Sequence, residues 1–268
     1  MNKIADFLPT TRPTFRAKTD NPFTPDTEPE PVVLFPTEAA WREFAGKYPH
    51  MPQGYCKYGC GGAGYLRREL PVGHPSFGRA YPCACTKEKT ARVEEHRSSL
   101  STTEQGFTLE NWVGDDPQAL QHARQAAAQG WGMFCFYGAV GVGKSGLLVG
   151  IVNAFLERKQ QAVYKTAAGM LDALRASYET DEYETLMNYF CGIKVLALDE
   201  VWRHKPTEWA EEKLFHILDE RYRHYDIRLT LIATNATPDY ENALWSRFTD
   251  RQRGSVIQVH GRDVRPLV

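Results

Sequence analysis

No apolar run in this chain approaches the roughly 20 consecutive residues that a membrane-spanning helix needs, so neither a span nor a membrane partner is expected. The opening MNKIADFLPTTRPTFRAK also lacks the apolar core of a secretory signal and meets Pro9 early. The expectation is a cytoplasmic protein whose thiols stay reduced. Neither sign of charge is in excess, because 33 acidic and 32 basic side chains leave a formal net charge of −1. That balance argues against coating duplex DNA by bulk charge, while a local basic strip on an oligomer stays open. An internal repeat with a period of roughly 20 to 50 residues is also missing. What remains is ordinary globular usage, 42% hydrophobic and 24% charged over 268 residues. That is enough for one large domain and a small one.

Three regions differ in texture. Residues 1–36 are rich in Pro, Thr and charge, show no apolar period, and read as a flexible arm. Residues 37–100 begin with TEAAWREFAGKY, where Thr37 can cap a helix that carries Trp41, Phe44 and Ala45 on one face. Such a face is either a docking helix or a local hydrophobic staple. A segment dense in Cys and Gly follows, from Tyr55 to about Lys89. From 101 to 268 apolar strands alternate with amphipathic helices. Strands are expected at 133–137, 162–165, 195–198, 229–233 and 256–259. Helices are expected through Leu147–Phe155, through Met170–Leu174, and from Thr207 through Leu218. Alternation of this kind predicts an α/β fold, a parallel sheet with helices on both faces.

Directly after the first of these strands stands Gly138-Ala-Val-Gly141-Val-Gly143-Lys144-Ser145, and a helix follows at once. Glycines in that pattern let successive amides curl inward, and the helix N-terminus adds its positive end, so phosphate oxygens replace water at low cost. Lys144 would reach the β and γ phosphates of ATP, and Ser145 would offer a hydroxyl to Mg2+. About fifty residues on, the strand Val195-Leu-Ala-Leu ends in Asp199-Glu200, at the C-terminal edge where such sheets place chemistry. Asp199 suits an outer role on Mg2+, and Glu200 is placed to polarise a water for in-line attack; the alternative is a solvated acidic turn. Asn235, after Leu229–Thr234, either orients that water or merely forms a turn. In Leu244-Trp-Ser-Arg247-Phe, with Arg251 and Arg253 behind it, an arginine either completes a neighbouring subunit's site or belongs to a solvated basic face.

These residues resemble the AAA+ ATPases, and more narrowly the DnaC/DnaI-type loaders of replicative helicases and their IstB-type transposition relatives. The resemblance covers roughly residues 55–268: the phosphate loop, VLALDE, TEWAEEKLFHILDERY, LIATN, SRF and GRDVR. It implies that Lys144 and Ser145 are the Walker A ligands, Asp199 and Glu200 Walker B, Asn235 sensor 1 and Arg247 the arginine finger. Arg251 is the reserve for that last role, and Arg265 corresponds to a further arginine near the nucleotide. Loaders often carry Asp-Asp where this chain has Asp199-Glu200, but Glu is the commoner AAA+ residue, so the resemblance still implies ATP hydrolysis. The chain stops soon after SRF, leaving no room for a helical lid, as in loaders. The implied function is loading a replicative hexameric helicase onto single-stranded DNA as a self-associating, ATP-gated oligomer. The rivals are an IstB-like helper of transposition and a nucleotide-binding zinc scaffold without turnover.

Cys56-x3-Cys60 and Cys83-x-Cys85 offer four thiolates for a tetrahedral Zn2+ site, which being closed would be structural. Neither spacing is the usual two, so reduced cysteines without metal remain the alternative. Gly59, Gly61, Gly62 and Gly64 would allow turns that aim N–H groups at sulfur. His74 is a spare ligand or a plain loop histidine. Tyr58, Tyr65, Phe77 and Tyr81 could stack bases or cover the metal. Lys87, Lys89, Arg92 and Arg97 could track single-stranded DNA or form a solvated face. Cys135 and Cys191 are expected in the core.

Overall fold

The computed structural model describes Val32 and residues 37–47, 56–72, 74, 76–202, 207–239 and 243–265. The arm expected over 1–36 lies outside them except for Val32, which forms an antiparallel bridge with Arg67. Two compact units are present, Met1–Cys83 and Ala84–Val268. The division falls nearer the N-terminus than the expected 100/101 boundary. The reason is helix α2 (Ala84–Ser98), whose Val93 is buried in the core of the second unit.

In the first unit, helix α1 (Glu38–Lys47) starts where Thr37 Oγ1 accepts the Ala40 N–H at 3.2 Å. A short antiparallel pair, β1 (Tyr65–Leu66) and β2 (Tyr81–Pro82), closes the glycine-rich loop.

The second unit is built on a five-stranded sheet. Its strands are β3 (Gly132–Tyr137), β4 (Ala162–Thr166), β5 (Val195–Asp199), β6 (Leu229–Thr234) and β7 (Gly254–Gln258), in the order β4-β5-β6-β3-β7. Every pairing is parallel. The last strand begins two residues before the expected 256, where the Gly254 backbone passes the end of helix α9 (Ala243–Thr249). A Cβ there would stand 2.4 Å from the Phe248 carbonyl oxygen. Val259 extends the pairing, donating its N–H to the Tyr137 carbonyl at 2.7 Å.

Because successive side chains point to opposite faces, each strand feeds two cores. Phe134, Phe136, Ala197, Leu229 and Leu231 join helices α4 (Pro117–Gln129) and α5 (Lys144–Glu157). Met133, Cys135, Leu196, Leu198 and Ile232 join α6 (Ala167–Ala176), α7 (Tyr183–Gly192), α8 (Glu208–Arg223) and α9. This is the expected parallel sheet with helices on both faces. Cys135 and Cys191 are core residues, and burial pushes both thiols up from their ordinary value. Helices α4 and α7 lie outside the expected set, although each carries an apolar stripe at helical spacing: Ala119, Ala123, Ala126 and Ala127 in α4, and Met187, Phe190 and Cys191 in α7. Helix α4 is also specified by its ends: Asp116 accepts from the Gln118 and Ala119 N–H groups, Pro117 opens the first turn, and Gly130 closes the last at φ 72°.

One fully buried cation organises the α7 side. Arg221 on α8 donates to the carbonyls of Phe190, Cys191, Ile193 and Leu229 and to Thr230 Oγ1, at 2.7–3.2 Å. It therefore satisfies the C-terminal carbonyls of α7 that no helix bond can reach. Burial, with Arg228 nearby, pulls its pKa down to about 9, still above neutrality. The group stays a charged five-donor fork.

Candidate functional site

The turn between β3 and α5 forms the floor of the site. Gly138 passes so close to the last strand that a Cβ would sit 2.4 Å from the Val259 carbonyl oxygen. Gly143 takes φ 92° as the N-cap of α5, and a Cβ there would meet the Trp112 indole nitrogen at 2.8 Å. Only glycine fits either place without moving backbone or indole. Lys144 is 7% exposed and donates from Nζ to the carbonyls of Gly138 at 2.9 Å and Ala139 at 2.6 Å. Burial lowers its pKa, and the neighbouring Asp199 opposes the shift.

Asp199 ends β5, buried to 5% exposure. Its Oδ1 accepts the Glu200 N–H at 2.7 Å and its Oδ2 accepts the Tyr164 hydroxyl at 2.7 Å. Glu200 turns sharply, at φ 54°. The following residue, Val201, is tied to β6: its N–H donates to the Ala233 carbonyl at 3.0 Å and its carbonyl accepts the Thr234 hydroxyl. That cross-strand tie holds the loop beside Asn235.

A cavity of about 530 Å3 lies above this floor, within the range of small-molecule sites. Gly141, Gly143, Lys144, Ser145, Asp199, Glu200 and Asn235 all line it. Gly138 contributes through its carbonyl on Lys144. Hydroxyl and carboxylate oxygens at one end are hard donors of the kind Mg2+ takes, so Ser145, Asp199 and Glu200 fit that ion. Arg265, the further arginine expected near the nucleotide, lines the cavity and is ion-paired with Asp263. Arg265 holds the Asp263 carboxyl down at about 2. Arg251 is exposed and does not line it.

Arg247 also stands apart from the cavity. Its guanidinium donates to Asp219 Oδ1 from Nε at 3.0 Å and from Nη2 at 2.8 Å, and to Ser246 Oγ at 3.0 Å. Whatever Arg247 does at a nucleotide, it does not do in its own chain's cavity in this arrangement.

The other wall escaped the sequence reading. Phe107, Asn111, Trp112 and Val113 line the cavity from the loop before α4. That loop is shaped by reciprocal bonds, Thr108 N–H to Asn111 Oδ1 at 2.8 Å and Asn111 N–H to Thr108 Oγ1 at 3.2 Å. Asn153 of α5 anchors it by donating to the carbonyls of Glu104, in the short helix α3 (Thr102–Gln105), and of Phe107. Trp112 Nε1 donates to the Gly143 carbonyl at 2.9 Å. Thr108 and Asn111 of FTLEN, three residues apart, were the one local signal, and they mark a turn rather than a site.

Away from the cavity, the sulfurs of Cys56, Cys60, Cys83 and Cys85 lie within 4.8 Å of one another. The Cys56 and Cys83 sulfurs are 3.8 Å apart. Zinc–sulfur bonds of about 2.3 Å at tetrahedral angles require a separation of about 3.8 Å, so the set fits zinc. The Gly64 N–H donates to Cys60 Sγ at 3.3 Å, the kind of support the glycines were expected to give. His74 is not in the cluster; its Nδ1 accepts the Ser76 N–H at 3.0 Å. Tyr65 and Phe77, expected as covers for the metal, are 53% and 54% exposed and shield little.

Residues 104–257 match the family description "Bacterial DnaA ATPase domain". Among individual proteins, the uncharacterized protein YdaV of Escherichia coli (strain K12) is 29% identical over 144 residues, half of this chain and 58% of that one. The chromosomal replication initiator protein DnaA of Thermoanaerobacter sp. (strain X514) is 28% identical over 133 residues, 47% of this chain and 30% of that one. The chain thus spans little more than half, or less than a third, of these relatives. In fold it resembles the replication initiator DnaA bound to AMPPCP and single-stranded DNA (24% identity, TM-score 0.52, covering 58% of this chain and 50% of that one). It also resembles the DnaC helicase loader (18% identity, TM-score 0.50, covering 60% of this chain and all of that one).

Proposed function

The chain belongs to the bacterial DnaA ATPase domain family, of AAA+ fold, and from that premise we propose that it is an ATP-dependent loader of a replicative hexameric helicase onto single-stranded DNA. The carrying observation is a complete phosphate cradle with its acidic pair, in a fold that spans the whole of the DnaC loader chain. In this reading Lys144 leaves the Gly138 and Ala139 carbonyls for the β and γ phosphates. Glu200 takes a proton from a water whose oxygen attacks the γ phosphorus as the bond to the bridging oxygen breaks, and Asn235 holds that water in line. Mg2+, held by Ser145 and Asp199, would neutralise charge on the phosphate oxygens. Arg247, which does not line its own cavity, acts on the site of an adjoining copy. The region before residue 101 supplies the grip on the helicase.

Co-purification tests the loader reading. The full-length chain with ATP should capture a hexameric replicative helicase from the same source, and no association either with or without ATP overturns it.

The cysteine cluster is read as a closed structural zinc site. Elemental analysis of the purified protein should find about one zinc per chain, and Cys83→Ser should give it up to a chelator at a concentration that leaves the native site loaded, because one of four thiolates is gone. A metal-free but folded native protein would refute the assignment.

A further inference from the structure

We infer that Tyr164 is a positioning residue for the Mg2+–nucleotide site, its hydroxyl setting the orientation of the Asp199 carboxylate. The inference rests on the nucleotide reading above and extends it to a side chain that no phosphate-loop or acidic-pair pattern contains.

Strand register makes the contact possible. Tyr164 pairs with Ala197, and Thr166 pairs with Asp199. The phenol must therefore lean two residues along the strand, about 6.6 Å, to reach the carboxylate. It does so: the hydroxyl donates to Asp199 Oδ2 at 2.7 Å. The ring is packed against the core shared with α4 and α5, so the reach is braced. Burial first, then the Asp199 charge, push the Tyr164 phenol far above its ordinary value, with Glu104 acting the same way and Ser145 opposing.

The hydrogen-bond count on Asp199 states the consequence. The rotation of a carboxylate about its last torsion is broad and soft. Here one oxygen is held by the Glu200 N–H and the other by Tyr164, at 2.7 Å each. Each oxygen keeps a second acceptor direction. Two donors from two different elements fix the plane, so the remaining lone pairs present one arrangement to the cavity that Ser145 and Lys144 also line. Without the phenol hydroxyl only the adjacent backbone donor remains, and the plane can turn.

Partners that orient a ligating carboxylate typically control metal affinity by 10- to 100-fold. In Tyr164→Phe, which keeps the ring, the Mg2+ concentration for half-maximal binding of a fluorescent ATP analogue should rise about tenfold. Binding of the same analogue in EDTA should stay within about twofold of the native protein, because the cradle itself is untouched. In Asp199→Ala, which removes the acceptor, the added Tyr164→Phe change should cost far less than it does in the native background, since the hydroxyl acts chiefly through the carboxylate. An unchanged Mg2+ requirement in Tyr164→Phe, an equal loss in EDTA, or additive losses in the double variant would each overturn the inference. If the native protein binds no Mg2+–nucleotide at all, it is the site reading that fails, and that outcome is visible before any variant is made.

Discussion

Lys144→Ala should weaken MgATP binding by roughly a hundredfold. A charge-assisted contact is worth about 1.5–3 kcal/mol, and each 1.4 kcal/mol is a factor of ten. The ammonium is already desolvated, 7% exposed and shared between the Gly138 and Ala139 carbonyls. Phosphate therefore exchanges neutral acceptors for anionic ones at little further desolvation cost. Alanine leaves the Asp199 charge without its cationic neighbour, which adds repulsion toward the incoming phosphates. Isothermal calorimetry measures the loss, and a circular dichroism melt confirms the fold. Unchanged affinity in a folded variant removes the nucleotide from this cavity.

Arg247→Ala and Glu200→Gln should each lower steady-state phosphate release by about a thousandfold, and mixing the two should restore part of it. In its own chain Arg247 is held on Asp219, which also carries Arg223. The two arginines keep the Asp219 carboxyl below its ordinary value against burial, which acts the other way. The guanidinium is thus presented on α9 by a charged partner rather than directed at its own phosphates. A head-to-tail assembly lets one copy's Arg247 meet another copy's Glu200, and random pairing of equal amounts makes about a quarter of the contacts fully equipped. Phosphate release by the mixture should exceed that of either variant alone by about two orders of magnitude. A mixture no better than the mean of its parts would place Arg247 outside the reaction.

How much of this was legible beforehand depended on whether a feature is carried by neighbours in the chain. The turn from Gly138 to Ser145 was readable because curling a backbone around phosphate demands glycines at fixed spacing between a strand and a helix. The sheet was readable because strands buried on both faces are continuous apolar runs. Helix α4 was harder, since its buried positions, Ala119, Ala123, Ala126 and Ala127, recur at helical spacing but are alanines, which favour a helix whether buried or exposed and so do not mark a core face. The 107–113 wall was invisible, because its decisive bond joins Trp112 to Gly143, thirty-one residues apart. Tyr164 read as an ordinary strand residue for the same reason: its partner is thirty-five residues away.

From the order of residues alone came the phosphate cradle, the acidic pair closing a strand, the alternation that makes a parallel sheet, and the four thiols. Folding in three dimensions decided that β4 lies beside β5, which brings a phenol to Asp199, that an indole roofs the cradle, and that Arg247 stands clear of its own cavity. The physical reason is that local spacing governs which torsions and faces a segment adopts, whereas strand order, on which every long-range contact depends, is chosen by the joint packing of all the elements at once.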